Sequence, residues 1–162
     1  MFNFKRGLAV AGLVIILDQA SKYAITQTFA YGETQTVTGF FDLVCAHNTG
    51  AAFSLFNTQP GWQREFFIAV SSIASVVILT LLRRGYGNAL TRFALSLILG
   101  GALGNLLDRL THGYVIDFLS FHIGAYAWPA FNIADSAISI GAVLLLWDNL
   151  TQKKHDASPS RR

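Results

Sequence analysis

The residues of this sequence best suited to chemistry are three aspartates that stand where apolar segments end or begin. Asp108 lies near the end of one apolar segment, Asp135 lies near the start of the next, and Asp117 lies in the connection between them. Two carboxyl groups held close together can hydrolyse a bond, because the ionised one activates water while the protonated one polarises the carbonyl. The spacing of these acids therefore predicts a hydrolytic pair of carboxylates that needs no metal ion.

Physical context favours Asp117 and Asp135 as the pair, although spacing alone would equally allow Asp108 with Asp135. Asp108 is followed directly by Arg109, and a neighbouring cation should hold a carboxylate ionised, whereas Asp117 stands between two apolar residues. Each acid also has a structural interpretation. Asp135 could be the third residue of a helix capped by Asn132, Asp108 could be half of an interfacial ion pair, and Asp117 could be an exposed loop acid. The convergence of three acids, two carboxamides and an arginine favours a site.

Polar residues inside apolar segments need an explanation, because an aspartate in the middle of a membrane helix costs about 2.5–3.5 kcal/mol unless it has a partner. Asp18 and Lys22 are four residues apart on one helical face, which predicts an ion pair with either a structural or a functional role. Gly50 belongs to a run of small residues within 48–53 that would allow close approach by a ligand or another segment. The small residues at 100–104 are more typical of close helix packing.

Two other kinds of site have weak support in the sequence. The four histidines show no H-x-x-x-H spacing and there is no cysteine–histidine cluster, so no metal and no cofactor are expected. The single cysteine, Cys45, excludes an intramolecular disulfide, and a thiol nucleophile is a possible alternative without a recognisable histidine partner.

The chain is expected to be a single integral membrane domain over residues 1–162. Hydrophobic residues make up 52% of it and charged residues 13%, which is too little charge for a soluble domain of this size. Four apolar segments are long enough to cross a hydrocarbon core of about 30 Å, at about 8–29, 66–82, 89–110 and 132–150. A cleavable signal peptide at the amino end is an alternative, but Asp18 and Lys22 extend that segment and no clean cleavage site follows.

Basic residues predict the topology, because lysine and arginine accumulate in short cytoplasmic loops. Nine of the 12 basic residues fall at the two termini or between the second and third spans, namely Lys5, Arg6, Arg83, Arg84, Arg92, Lys153, Lys154, Arg161 and Arg162. Both termini should therefore be cytoplasmic, with the connections 30–65 and 111–131 outside. Residues 37–44 and 114–121 alternate loosely and predict small strands there. The basic tail, about 152–162, should be disordered.

Five sequence blocks resemble those of lipoprotein signal peptidase, also called signal peptidase II. They are Asp18-Gln19-Ala20-Ser21-Lys22, the run 48–53, the run 100–109, Val115-Ile116-Asp117-Phe118 and Phe131-Asn132-Ile133-Ala134-Asp135. The resemblance extends along essentially the whole chain. It implies an all-α membrane protein of four transmembrane helices with a small β-containing extracytoplasmic cradle.

The resemblance also implies an activity and a set of site residues. The expected function is that of an aspartic endopeptidase which removes signal peptides from diacylglyceryl-modified bacterial prolipoproteins, cutting before the lipidated cysteine at the outer face of the inner membrane. Asp117 and Asp135 match the catalytic pair. Supporting or substrate-binding positions match Asp18, Lys22, Asn48, Gly50, Asn105, Asp108, Arg109, Asn132 and Ala134. The lipid bilayer and the inhibitor globomycin are expected partners, and nucleic acid is not.

The chain departs from the family pattern at one position, and two other classes of membrane protein share some of its features. Position 47 is a histidine where relatives commonly have an arginine, which puts contacts of that loop in doubt and leaves the pair unaffected. A small proton-coupled transporter subunit would also carry intramembrane Asp and Lys, but it predicts polar residues along the full depth of several helices. A structural scaffold would not explain the carboxylates.

Overall fold

Four long helices and a small antiparallel sheet make up the part of the chain that the computed structural model describes, residues 2–49, 62–124 and 126–156. Each helix is long and apolar enough to cross a membrane by length and composition. Many of their outward-facing side chains are exposed apolar residues, as expected of a surface whose solvent is lipid. The helices are α1 (Phe4–Thr28), α2 (Trp62–Arg83), α3 (Ala89–Thr111) and α4 (Ile133–Asp156).

The third helix is the centre of the bundle, since α1, α2 and α4 all pack mainly against α3. Small residues make the close approach possible. A Cβ added at Gly100 would lie 2.8 Å from the carbonyl oxygen of Ala11 on α1, and one added at Gly101 would overlap the carbonyl oxygen of Ala134 on α4. The glycines of α3 therefore pack helix against helix, as their small size predicted.

The sheet lies at one end of the bundle, here called the sheet end, where α3 ends and α4 begins. Its strands are β1 (Thr34–Thr38), β2 (Phe41–Asn48), β3 (Val115–Ile123) and β4 (Tyr126–Ala127). Strand β2 pairs antiparallel with both β1 and β3, and β3 pairs with β4. Gly113, with φ of 85°, makes the turn from α3 into β3.

The predicted fold class is confirmed, and three details of the sequence analysis need correction. Residues 37–44 are not one strand, because β1 and β2 are separated by a turn at Gly39 and Phe40. Arg92 belongs to α3 and not to the connection before it. The helix α4 continues to Asp156, into the segment expected to be disordered, because its backbone keeps its internal hydrogen bonds after the apolar stretch ends; residues 157–162 lie outside the described residues.

Candidate active site

A buried ion cluster of Asp18, Lys22 and Asp108 joins α1 to α3 close to the sheet end. The Lys22 Nζ lies 2.8 Å from Asp18 Oδ2 and 2.8 Å from Asp108 Oδ2, and it donates to Asn105 Oδ1 at 3.1 Å. All three N–H groups of the ammonium thus have acceptors. The three charged side chains are almost completely buried, with exposed fractions of 0%, 1% and 1%. Such burial is tolerable only because each charge has an opposite partner.

The same cluster fixes the two segments that carry the other aspartates. Asp18 Oδ1 accepts a hydrogen bond from the backbone N–H of Ala134 at 2.9 Å, and Asp108 Oδ2 accepts one from the backbone N–H of Ile116 at 3.2 Å. Gln19 donates to Asp108 Oδ1 at 2.8 Å. The first turn of α4 and the start of β3 are therefore held by charges on α1 and α3.

Asn132 links Asp117 to Asp135. Its Nδ2 donates to Asp117 Oδ1 at 2.7 Å, while its Oδ1 accepts the backbone N–H of Asp135 at 2.8 Å. Asn132 is fully buried and caps α4, so the structural interpretation of Asp135 as the third residue of a capped helix is also correct. One side chain consequently sets the position of both acids.

Two more carboxamides donate to the acid pair. Asn105 Nδ2 donates to Asp135 Oδ1 at 2.7 Å, and Asn48 Nδ2 donates to Asp117 Oδ2 at 2.9 Å. The pairing of β2 with β3 places Asn48 opposite Val115, two residues from Asp117. Each acid therefore has a side-chain donor from a different element, and the pair is held by α3, α4, β2 and β3 together.

The environment of Asp117 opposes its ionisation. Burial, and after it the negative charge of Asp135, raise the pKa of Asp117 from its ordinary 3.8 to about 7, against the opposing effects of the hydrogen bonds from Asn48 and Asn132 and of the charge of Lys22. A carboxyl group with a pKa near 7 can hold a proton at neutral pH and share it with a neighbouring carboxylate.

Arg109 lies beside this pair with little access to solvent. Its exposed fraction is 8%, its Nη1 donates to the carbonyl oxygen of Asn105 at 3.1 Å, and its guanidinium carbon lies 4.9 Å from the ring centre of Phe67. The negative charges of Asp135, Asp108 and Asp117 all act on it. Arg109 is thus a buried cation between α2 and the acid pair.

Ten of the eleven residues selected from the sequence come together at the sheet end. The eleventh, Gly50, lies outside the described residues. The ion pair of Asp18 with Lys22 is confirmed, whereas the interpretation of Arg109 as the cation beside Asp108 is wrong: in the described part of the chain the ion-pair partner of Asp108 is Lys22. Arg109 follows Asp108 on the same helix, so adjacency in sequence did not indicate the contact between Asp108 on α3 and Lys22 on α1.

Gln19 is a site residue that the sequence analysis did not select. It donates to both Asp18 Oδ2 and Asp108 Oδ1, at 3.2 and 2.8 Å. Its position directly after the buried Asp18, in the first of the resembling blocks, was the available signal.

Cys45 and His47, the two other residues considered from the sequence, both pack against neighbouring side chains. Cys45 is buried against Ile25 and Phe118, and burial raises the pKa of its thiol, as does the charge of Glu33. This disfavours a thiolate nucleophile. His47 stacks on the ring of Tyr114 with centroids 3.8 Å apart, so the departure at this position is accommodated by aromatic contacts.

These features define a class of protein: a multi-pass membrane protein with two linked carboxyl groups, one buried and one half-buried, at one end of its helices. This chain is similar in sequence to proteins of one known family. The family model described as signal peptidase (SPase) II matches residues 10–151. The lipoprotein signal peptidase of Ralstonia nicotianae is 55% identical over 143 residues, 88% of this chain and 83% of the relative. That of Cupriavidus taiwanensis is 53% identical over 149 residues, 91% of this chain and 85% of the relative.

A solved structure has the same fold. A bacterial membrane enzyme determined by the in meso method at 2.3 Å resolution superposes with a TM-score of 0.83 at 30% sequence identity, covering 96% of this chain and 94% of that one. The chain belongs to the signal peptidase II family. It is a protease of bacterial membranes, as the five sequence blocks predicted.

Proposed function

We propose that this protein is an aspartic endopeptidase that removes the signal peptide from diacylglyceryl-modified prolipoproteins, cutting immediately before the lipidated cysteine. The observation that carries the proposal is the linkage of Asp117 and Asp135 through Asn132. A peptidase of this type needs two carboxyl groups in a fixed relation, one ionised and one protonated. Family membership supplies the substrate class, since the relatives bear the name lipoprotein signal peptidase.

In the proposed reaction Asp135 is the base and Asp117 the acid. Asp135 takes a proton from a water molecule, whose oxygen attacks the scissile carbonyl carbon. Protonated Asp117 gives its proton to the carbonyl oxygen, which forms a tetrahedral gem-diol. Asp135 then passes the proton it took from water to the leaving amine nitrogen as the C–N bond breaks, and one hydroxyl of the gem-diol returns its proton to Asp117. The pKa of about 7 for Asp117 supports this assignment, although the two acids titrate as a coupled pair.

A lipid-modified substrate has to reach the pair from the bilayer. Its acyl chains favour the membrane by about 0.8 kcal/mol per methylene, so extraction into water is costly. Among the described residues α2 and α4 make no contact with each other, although both pack on α3. The side of the bundle between them, where Arg109 lies, is the route we propose for lateral access.

The proposed orientation follows from the basic residues. We propose that the sheet end and the acid pair face the outside of the cytoplasmic (inner) membrane, and that both termini are cytoplasmic. An outward-facing pair has access to water and to a substrate whose lipidated cysteine lies near the outer interface.

Purified protein in detergent should cleave a diacylglyceryl-modified lipobox peptide and leave its unlipidated twin intact. Asp117→Asn and Asp135→Asn should each remove this activity, and globomycin, the inhibitor typical of the family, should block the wild type. Asp42→Asn is the matched control, because Asp42 is an aspartate of the same sheet whose ion-pair partner is His122 and not a site residue. Equal cleavage of both peptides, or full activity in both pair variants, would contradict the proposal.

A further inference from the structure

We infer that Phe67 is a positioning residue, assisted by Arg64: its ring holds the Arg109 guanidinium beside the acid pair, where the positive charge keeps one acid ionised. The inference rests on the proposed function and adds two residues of α2 to it. No hydrogen bond or ion pair among the described residues joins either of them to Asp117 or Asp135. Both would act through Arg109.

The Phe67 ring is a direct partner of the Arg109 guanidinium. Within the part of the chain that the structure describes, the buried Nε of Arg109 has no hydrogen-bond partner and no ion pair includes this residue. Within the same part, its guanidinium donates from Nη1 to the carbonyl oxygen of Asn105 on its own helix. A guanidinium removed from water is attracted to the face of an aromatic ring, and more strongly than an exposed one. The Phe67 ring, 4.9 Å away, provides that attraction.

Arg64 fixes the helix that carries the ring. Its Nε donates to the carbonyl oxygen of Arg109 at 3.1 Å. That carbonyl is among the last four of α3, which have no partner within the helix, so the bond also completes the end of α3. Residues 64 and 67 are three apart and share one face of α2. Arg64 thus holds the backbone of Arg109, and Phe67 holds its guanidinium group.

The negative charges around Arg109 include both acids of the pair. The effect of Asp135 on Arg109 is the largest, followed by those of Asp108 and Asp117. Asp108 and Asp18 share Lys22 as an ion-pair partner, whereas no ion pair among the described residues includes Asp135. The charged groups concerned are Asp18 and Lys22 on α1, Arg64 and Glu65 on α2, Asp108 on α3, Asp117 on β3 and Asp135 on α4.

The first test is the dependence of kcat/KM on pH. In Phe67→Leu the guanidinium is released, so the acid limb of the profile should move to higher pH by about half a unit, with about a threefold loss on that limb. Phe67→Trp keeps an aromatic face and should restore the wild-type limb. Phe93→Leu makes the same change at the other end of α3, where the ring packs on Phe2, and should leave the profile unchanged. An acid limb in Phe67→Leu that coincides with the wild type would overturn the inference.

A second measurement does not depend on activity. The rate at which phenylglyoxal modifies Arg109, read by peptide mass spectrometry, should rise in Phe67→Leu and in Arg64→Gln. Arg92 serves as internal reference, because its bonds to Gly87 and Phe2 lie far from the substitutions. If the wild type does not cleave, the proposed function fails and the Arg109 modification rate still decides the inference. If it cleaves but neither the profile nor that rate changes, the inference alone fails.

Discussion

Replacing Asp117 by asparagine should change how the stability of the protein depends on pH. The wild-type acid has a pKa of about 7 in the folded state and an ordinary value of 3.8 when unfolded. The folded state consequently binds more protons between these two values, and the free energy of unfolding falls as pH rises across that interval. Asparagine does not titrate, so the variant lacks this decline.

The size of the effect follows from the two pKa values. At 1.36 kcal/mol per pH unit, ionisation of Asp117 costs the folded wild type about 4 kcal/mol at pH 8 but less than about 2 kcal/mol at pH 5. Relative to Asp117→Asn, the wild type should therefore lose about 2.5 kcal/mol between these pH values. Asn48 and Asn132 donate to different oxygens of Asp117, and asparagine has an acceptor at only one of these two positions, so the loss of one hydrogen bond costs about 1–3 kcal/mol at every pH.

The assay measures the free energy of unfolding in mixed micelles at about pH 5, 6, 7 and 8. At each pH the value for Asp117→Asn is subtracted from the value for the wild type. Ile116→Val, a change in a buried neighbour that does not titrate, should cost about 0.5–1.5 kcal/mol and run parallel to the wild type. If the Asp117→Asn difference is constant from pH 5 to pH 8, the raised pKa and the acid role derived from it are both wrong.

Further substitutions probe other parts of the site and the topology. Asp135→Asn should reduce turnover about 100-fold or more with the folded yield preserved, and near wild-type turnover would exclude this acid from the pair. Asp108→Asn removes one partner of a buried ammonium and should destabilise the fold by about 3 kcal/mol, seen as lower folded yield, while the molecules that do fold keep measurable activity. Gly104→Ala would place a Cβ 2.7 Å from Asp18 Oδ2 and should cost about 1–3 kcal/mol by thermal unfolding in detergent, whereas a neutral result would mean that α1 can shift. A cysteine at position 33 should react with an impermeant thiol reagent added outside cells and one at position 87 should not; the reverse labelling would invert the membrane orientation.

The helices could be predicted from the sequence because their signal is local. A run of apolar residues long enough to cross a bilayer is visible without knowing its partners, and the four apolar helices begin and end within a few residues of the predicted segments. The sheet was only partly predictable. The hairpin of β1 and β2 turns at Gly39 and Phe40 inside a run that alternates like a strand, and the choice between one strand and two depends on the pairing with β3.

The site was predictable as a set of residues but not as a set of contacts. Acids and amides within apolar segments are conspicuous, so eleven candidates could be gathered from the sequence and from the family resemblance, and the ten that the structure describes lie together at the sheet end. Which cation neutralises Asp108 depends on how α1 packs against α3, and adjacency in sequence pointed to Arg109 where the structure has Lys22. The contact of Phe67 with Arg109 has no sequence signal, since a phenylalanine in an apolar helix is ordinary.

The bond from the backbone N–H of Ala134 to Asp18 bears on how the protein is made. These residues are 116 positions apart, so during synthesis the first helix enters the membrane long before its partner on the last helix exists. Asp18 is not left as a bare charge in the meantime, because Lys22 lies one turn away on the same helix and neutralises it. The pair thus lowers the insertion cost of the first helix, which an isolated aspartate would raise by about 2.5–3.5 kcal/mol. The polar core can then assemble last, when the fourth helix arrives and supplies the amide that Asp18 accepts.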